Sequence, residues 1–554
     1  MKNLILTVLL FSNIAIFSQE NTIDTILVNK QNLDEVVVIA IRASSNNPVP
    51  FKVLDSDDIS RVNLGQDVPV ILSMTPSVNI TSDAGNGIGY TGMSIRGSDG
   101  SRINVTINGV PLNDSESHAT YWVDLPDFAS SISSIQIQRG VGTSTNGAGA
   151  FGGSINVSTQ KQSQVPKFKL SNSFGSYGTL KNSISFTTGR VGNYFELSGN
   201  LSKIYSGGYI DRASSNLKGY FLQGSYYKDR TNIKFIAFGG HERTYQAWYG
   251  LDQETLSTNR KFNYAGMYFN DDGDQFFYDK QEDNYKQDHY QLIFNHKINP
   301  SWRANLTFHY THGRGYYEEY TEDQNLSDYL IFDNNGEVIS DLVRRKWLDN
   351  DFYGSLFNFI YEKSSSKLIL GGTLNKYFGD HFGEVIWARN AGNSEIRHRY
   401  YDNFGNKEEF NLFAKFQYTF NDKLYGFVDL QNRSINYDAE LIGGNNINKS
   451  FNFFNPKAGL YYKLNSNNEF YFSFARAHRE PTRTDYENGN PFPEKLDDFE
   501  LGWKHKGKKS IYNINLYFMD YNDQLVLTGE RDDVGYYIRA NVGESYRAGI
   551  EFDG

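Results

Sequence analysis

The chain has 554 residues, a net charge of -10 and no cysteine. Without cysteine there are no disulfides, thiolate metal sites or cysteine nucleophile. The net negative charge gives no reason to expect the basic surface that binds nucleic acid. Aromatic residues make up 15% of the chain, yet its mean hydropathy is -0.55. This combination suits strands that are apolar on one face only.

Residues 1–18 have the pattern of a secretory signal peptide. Lys2 supplies a positive charge, residues 4–17 form a short apolar segment, and Ser18 is a small residue suited to cleavage. The alternative is a membrane anchor, but a spanning helix needs about 20 apolar residues. We therefore expect export and removal of this segment.

A polar extension at 19–47 follows, and it contains a β-prone run at 33–40 with Val36, Val37 and Val38 at its centre. Because β-branched residues favour an extended backbone, this run is suited to pairing with a partner strand. The alternative is a disordered linker without a partner.

Residues 48–161 read as a mixed α/β domain in which short strands alternate with glycine turns. The pair Asn108 and Gly109 is a strong hairpin signal, because both residue types tolerate positive φ. We predict a tight turn between two strands at this point.

Two arginines of this domain stand beside glycines in apolar surroundings: Arg96 precedes Gly97, and Arg139 precedes Gly140. Buried arginines need acidic partners, which we expect a surrounding barrel wall to supply. Two roles fit them equally well, namely holding the domain in place and taking part in gating.

From 165 to 554 the sequence shows strand-like runs of about ten residues in which apolar and polar residues alternate. Alternate side chains point to opposite faces of a strand. One run would place on a single face Trp302, Ala304, Leu306, Phe308 and Tyr310. A soluble β-sandwich shows the same alternation, so the pattern alone does not distinguish it from a membrane barrel.

The links between the roughly sixteen strand candidates favour the barrel, since they alternate between short and long as in outer-membrane barrels. Short turns are predicted near 228–230, 299–301, 362–365, 421–423 and 464–468. Long links are predicted at 241–284, 313–351, 378–407, 476–498 and 521–543. Compact soluble domains rarely carry several such long loops.

Taken together, these segments resemble the TonB-dependent receptors. The resemblance is carried by the Gly92–Gly97, Ile103–Pro111, Ile135–Gly140 and Gly147–Val157 stretches, and by two later ones at 473–482 and 541–551. The run Asp34, Glu35, Val36, Val37 and Val38 resembles the Ton box, which pairs with the periplasmic protein TonB.

The resemblance implies an all-β transmembrane barrel with an α/β plug in its lumen, in the outer membrane of a Gram-negative bacterium. Family barrels have about 22 strands, the size class of plugged transporters. About sixteen strands are found here, and the last candidate, at 546–552, runs to the end of the chain. We therefore expect a C-terminally truncated sequence that lacks closing strands.

The implied function is TonB-dependent import of a scarce chelate, most often a ferric siderophore or other iron complex. Cobalamin or another small chelate is an alternative, as is a passive porin-like barrel. A secreted enzyme is a further alternative, but no carboxylate pair forms a catalytic constellation. We predict no enzymatic activity, cofactor or metal site, and TonB, the chelate and outer-membrane lipid as partners.

Ligand contacts are expected on plug residues near the outer end of the lumen. The candidates are Tyr90, His118, Tyr121 and Trp122. Tyrosine and tryptophan offer stacking surfaces, and histidine can donate a hydrogen bond. A lone histidine is more often a surface residue than a ligand, and no second residue stands at metal-ligand spacing from His118.

Overall fold

The structure is a computed structural model that describes residues 42, 49–146, 149–270, 272–332, 336, 338–442, 444, 446–531 and 537–554. The predicted signal peptide and the predicted Ton box at 33–40 lie outside the described residues. No helix within these ranges is long and apolar enough to cross a membrane.

We call residues 49–161 the plug. Its strands β1 to β7 are Phe51–Asp55, Val78–Ser82, Thr91–Ile95, Ile103–Ile107, Val110–Pro111, Ile132–Arg139 and Gly153–Thr159. Its α-helices are α1 (Ser56–Val62) and α2 (Val68–Leu72). Short 3₁₀ turns lie at Gly100–Arg102, Trp122–Asp124, Phe128–Ser131 and Ser144–Asn146.

The plug is built on a five-stranded sheet in the order β1-β6-β7-β4-β5, with β2 and β3 forming a separate hairpin. Strands β4 and β7 are parallel, and the other neighbours in the five-stranded sheet are antiparallel. Strands β6 and β7 are buried along their whole length, as expected for strands covered on both faces. Helix α1 starts at Asp55, whose carboxylate accepts hydrogen bonds from two backbone amides of the first turn.

We call the second sheet the wall. Its strands β8 to β12 are Lys167–Phe174, Leu180–Thr187, Phe195–Ser206, Ser215–Lys228 and Thr231–Tyr245. Strands β15 to β25 are Glu282–Lys297, Trp302–Asn325, Ile339–Lys363, Ser366–Ala388, His398–Asn421, Leu424–Glu440, Asn446–Lys463, Asn468–Arg479, Glu494–Lys506, Ile511–Arg531 and Tyr537–Asp553. The link between β12 and β15 contains α3 (Gln253–Thr258) and a hairpin of β13 (Met267–Phe269) and β14 (Gln275–Phe277). A 3₁₀ turn at Leu326–Tyr329 follows β16, and α4 (Arg483–Glu487) precedes β23.

The wall is one sixteen-stranded antiparallel sheet in sequence order, with β8 and β25 as its edge strands. It curves around the plug, because plug side chains contact strands as far apart as β9, β15, β18 and β25. The predicted fold class, a large β-barrel sheet around an N-terminal plug, is confirmed.

The predicted alternation is also confirmed. On β16, Leu306, Phe308 and Tyr310 are exposed on the outer face, whereas Asn305 and Thr307 are buried against the lumen. An apolar outer face with a polar lumen is the arrangement of outer-membrane barrels.

The predicted extents of most long links were wrong. Strands β16 and β17 pair from Trp302↔Tyr361 to Asn325↔Ile339 with one register shift between Thr321 and Gln324, so most of the link predicted at 313–351 is strand. The hydrophobic alternation stops where the outer face becomes polar, but backbone pairing continues. Opposite charges face each other across the two strands there, for example Glu318 and Arg345, and such pairs stabilise a sheet.

Short hairpins lie on one rim of the wall, as at Lys228–Thr231 and Lys363–Ser366. We call this the short-hairpin rim, and the opposite rim, which carries the links that include α3 and α4, the long-link rim.

Candidate functional site

The plug is joined to the wall by a buried cluster around Arg96, which we call the basic attachment (Arg96, Arg139, Glu500 and Glu551). Arg96 donates to Glu500 on β23 at 2.5 Å and to Glu551 on β25 at 2.9 Å. Its guanidinium also lies 4.0 Å from the centre of the Tyr517 ring. Glu551 lies near the short-hairpin end of β25, and Glu500 lies midway along β23.

Arg139 enters the same cluster from plug strand β6, with its Nε 3.2 Å from Glu551 Oε2. The expectation that the wall supplies acidic partners for both arginines is confirmed. Gly140 has a φ of +74°, and a Cβ there would lie 2.6 Å from Glu500 Oε1 and overlap Asp498. Glycine therefore allows the plug backbone to approach the wall carboxylates closely.

Backbone amides of the plug extend this contact. Val141 N donates to Asp498 on β23 at 2.9 Å, and Ser144 N donates to Asp429 on β20 at 2.8 Å. The segment after the basic attachment is thus bound to wall carboxylates as well. Removing one member of a buried ion pair leaves an uncompensated charge and costs about 3–5 kcal/mol, so this contact holds the plug firmly.

Two further predicted plug positions form the expected turn. Asn108 and Gly109 have φ values of +54° and +88° and connect β4 to β5. Asn108 also donates to Gln291 on β15 at 3.0 Å, and its side-chain oxygen accepts from Thr159 N. Gly97 has a φ of +72°, directly after the left-handed Arg96, which lets the chain turn at the arginine.

A second attachment joins the plug loop 113–118 to the wall near the long-link rim. We call it the acidic attachment (Glu116, Tyr377, His381, Tyr437 and Arg483). Glu116 is 3% exposed. Although burial raises the pKa of its carboxyl, His381 and Arg483 outweigh that effect and lower the pKa below its usual value.

His118 lies beside this attachment. Its Nε2 is 2.9 Å from Lys407 Nζ, and Lys407 also pairs with Glu480 at 2.7 Å. Burial, and then the Lys407 charge, lower the pKa of His118 to about 3. His118 is therefore neutral at physiological pH and accepts a hydrogen bond from Lys407.

The other three predicted contact residues have partners within the protein. The Tyr90 hydroxyl donates to Asp283 and Glu242, and its ring meets the Trp248 ring edge-on at 5.7 Å. The Tyr121 hydroxyl bonds to Ser117 at 3.2 Å. Trp122 is 3% exposed and belongs to the hydrophobic core that the plug shares with the wall. Ligand contact by Tyr90, His118, Tyr121 and Trp122 stays a prediction.

Sequence reasoning missed several plug–wall residues. Arg102 pairs with Glu494 on β23 at 2.8 Å, and Arg479 on β22 pairs with the same glutamate at 2.7 Å. Glu116 was missed as well. A charged residue beside a plug glycine turn was the available signal for Arg102, whereas nothing local distinguishes Glu116 from a solvated loop glutamate.

Family models cover most of the chain. The model described as "TonB dependent receptor-like, beta-barrel" matches residues 232–554, and the "TonB-dependent Receptor Plug Domain" model matches residues 43–154. The chain belongs to the TonB-dependent receptor family. No curated protein matches this receptor.

Solved structures share the fold of this receptor at low sequence identity. The ferric-catecholate import receptor Fiu from E. coli K12 is 16% identical with a TM-score of 0.65, over 92% of this chain and 78% of that chain. The ferric yersiniabactin uptake receptor FyuA from Yersinia pestis is 14% identical with a TM-score of 0.67, over 92% and 76%. The siderophore receptor PiuA from Acinetobacter baumannii is 12% identical with a TM-score of 0.67, over 93% and 77%.

Within its described residues, this receptor has no group of three or more His, Asp or Glu side chains arranged to hold a metal ion. Its polar side chains in the lumen instead form ion pairs between plug and wall. The arrangement is suited to holding the plug inside the barrel.

Proposed function

We propose that this protein imports a scarce metal chelate, a ferric siderophore or another iron complex, across the outer membrane of a Gram-negative bacterium, with energy supplied through TonB. The apolar outer face of the wall supports placement in lipid. The plug in the lumen supports regulated import rather than free diffusion.

The observation that carries this proposal is the basic attachment. Arg96 has a side-chain exposure of 0% and binds two carboxylates from two wall strands. Because separating buried partners is costly, thermal motion alone rarely moves this part of the plug. Passage of a cargo therefore requires work on the plug, which an energised partner can supply.

The cargo class rests on structural relatives. Fiu, FyuA and PiuA are named as receptors for ferric-catecholate, ferric yersiniabactin and siderophores. Their similarity to this chain concerns the fold, and the transfer of an iron-chelate cargo to this chain is our proposal. A deletion strain grown on defined ferric chelates as sole iron sources tests it. We expect loss of growth on one chelate, whereas wild-type growth on every chelate would contradict the assignment.

Coupling to TonB is assigned to residues 34–38. Val37→Pro removes a backbone donor from the pairing strand, so we expect uptake to be lost while binding of chelate to cells is retained. Val28→Pro, outside the proposed Ton box, is the matched control and should transport normally. Unchanged transport by Val37→Pro would mean that TonB pairs elsewhere.

A further inference from the structure

In the acidic attachment, side chains of the wall form a binding site for a carboxylate, and the carboxylate of Glu116 fills it. Two donors reach each oxygen of the Glu116 carboxylate: Tyr377 at 3.0 Å and His381 at 2.6 Å contact Oε2, and Tyr437 at 2.8 Å and Arg483 at 3.1 Å contact Oε1. All four donors belong to the barrel. The plug contributes the anion to a site that the wall builds.

The wall is shaped for this carboxylate. Tyr377 and His381 lie on β18, Tyr437 lies on β20, and Arg483 begins α4. On the strand between them, a Cβ at Gly405 would lie 2.5 Å from Glu116 Cδ. A glycine at this point therefore leaves the space that the carboxylate fills.

The loop that carries Glu116 keeps its own structure. Asp114 Oδ1 accepts from the backbone amides of Glu116 and Ser117 at 3.1 and 2.7 Å, which is an Asx-type turn. His118 has a φ of +59°, a conformation that costs a non-glycine residue energy. Release of Glu116 would thus remove the side-chain contacts that hold a preformed loop in the pocket.

The pocket also has an approach. One donor of the pocket is open to solvent, because His381 keeps 22% of its side chain exposed. Cargo from the outside reaches the long-link rim first, where this pocket lies.

We propose that the pocket of Tyr377, His381, Tyr437 and Arg483 binds a carboxylate or similar oxyanion of the cargo, and that Glu116 occupies it until the cargo displaces it. This inference rests on the proposed import function. An anionic group can compete with Glu116 for these donors, because hydrogen bonds to a carboxylate from charged donors are strong and geometrically specific. Binding of cargo would then release the loop 113–118 on the outer side of the plug.

The test uses the purified full chain in detergent, with citrate as the probe and uncharged glycerol as its control. The chain has no cysteine, so Ser115→Cys accepts a single nitroxide label on the loop. We expect citrate, but not glycerol, to mobilise the label in the electron paramagnetic resonance spectrum.

Two kinds of variant distinguish a pocket that binds cargo from a contact that only holds the plug in place. Glu116→Gln removes the internal competitor, so citrate affinity measured by calorimetry should rise by about tenfold or more, in proportion to the fraction of closed sites. In the Glu116→Gln background, Tyr437→Phe and His381→Gln remove donors from the pocket, so citrate affinity should fall by about tenfold or more relative to Glu116→Gln alone. All three variants should mobilise the label without citrate.

Glu408→Gln is the matched control, since Glu408 is exposed on the outer face of β19 and pairs with Lys376. It should leave label mobility and citrate affinity unchanged. Equal citrate affinity in wild type, in Glu116→Gln and in the Glu116→Gln, Tyr437→Phe double variant would overturn the inference. Because the assay needs neither TonB nor iron, its failure is distinguishable from a failure of the uptake experiments.

Discussion

Two of the attachments that join the plug to the wall have opposite chemistry. In the basic attachment the plug supplies Arg96 and Arg139, and the wall supplies Glu500 and Glu551. In the acidic attachment the plug supplies the carboxylate of Glu116 and the barrel supplies the donors. An anionic cargo can compete for the second but not replace the arginines of the first.

The two attachments also differ in place and burial. The basic attachment lies closer to the short-hairpin rim than the acidic attachment does, and the Arg96 side chain is fully buried. The acidic attachment lies toward the long-link rim and includes the partly exposed His381. On our proposal, binding of cargo releases the acidic attachment, which is the outer contact. The basic attachment, which is the inner contact, separates only when work is done on the plug.

The largest effect is expected for Arg96→Gln. It leaves Glu500 and Glu551 without their main partner, which should destabilise the plug by about 3–5 kcal/mol. The measurement is the temperature at which the plug becomes sensitive to protease in detergent. A loss of stability no larger than that of an exposed ion pair would contradict this view, because the basic attachment, the inner contact, would then contribute little to holding the plug.

Glu116→Gln should have a smaller effect on the same protease assay. Its amide oxygen can still accept from one side of the pocket, and Arg483 keeps Glu487 as a partner at 3.0 Å. We expect a loss of about 1–3 kcal/mol, the range for hydrogen bonds to charged groups. If this loss exceeded that of Arg96→Gln, the order of the two attachments would be reversed.

A pH effect within the plug should be smaller still. Burial raises the pKa of Asp67 from 3.8 to about 8, although Thr91 donates a hydrogen bond to it. The folded plug therefore retains a proton that the unfolded chain loses, so stability is greatest below pH 4 and falls as pH rises toward 8. Between pH 5 and 6 we expect a loss of about 1.3 kcal/mol, the free energy that one pKa unit represents for one proton.

Asp67→Asn should abolish this pH slope in the protease assay, since the amide carries no titrating proton. Asp57→Asn, at an exposed position of α1, is the matched control and should keep the slope. If stability fell equally with pH in wild type and in Asp67→Asn, the titrating group would not be Asp67. Groups in the two attachments would then have to be considered, and their stabilities would have to be compared at a fixed pH.

The smallest effect is expected at an exposed ion pair on the outer face of the wall. Arg314 contacts Asp349 at 2.7 Å, with 54% of the Arg314 side chain exposed. Exposed pairs contribute little, so Arg314→Gln should leave the protease-sensitivity temperature of the plug unchanged. A clear shift would show that the assay reports on the whole barrel rather than on the attachments.

Local patterns predicted the local structure well. The Asn108-Gly109 turn and the alternation along β16 follow from short-range stereochemistry and from the two sides of the wall. Strand lengths were less predictable, because β16 and β17 continue where the outer face becomes polar. The hydrophobic pattern reports the apolar environment of a strand and not its backbone pairing.

Long-range partners were predictable in kind but not in identity. Acidic partners for Arg96 follow from the cost of burying a lone charge, yet Glu500 and Glu551 are separated from it by 404 and 455 residues. Glu116 gave no signal, since its role depends on four wall residues that meet only in the folded protein. Trp122 packs in the core that the plug shares with the wall, and its contact with cargo stays a prediction.

The central claim is that the plug closes the lumen until an energised partner acts on it. The most direct test is uptake of a radiolabelled ferric chelate by cells that carry this receptor, with and without TonB. We predict that loss of TonB stops uptake and leaves binding of the chelate to the cells intact. Equal uptake in the presence and absence of TonB would contradict the claim and favour a passive barrel.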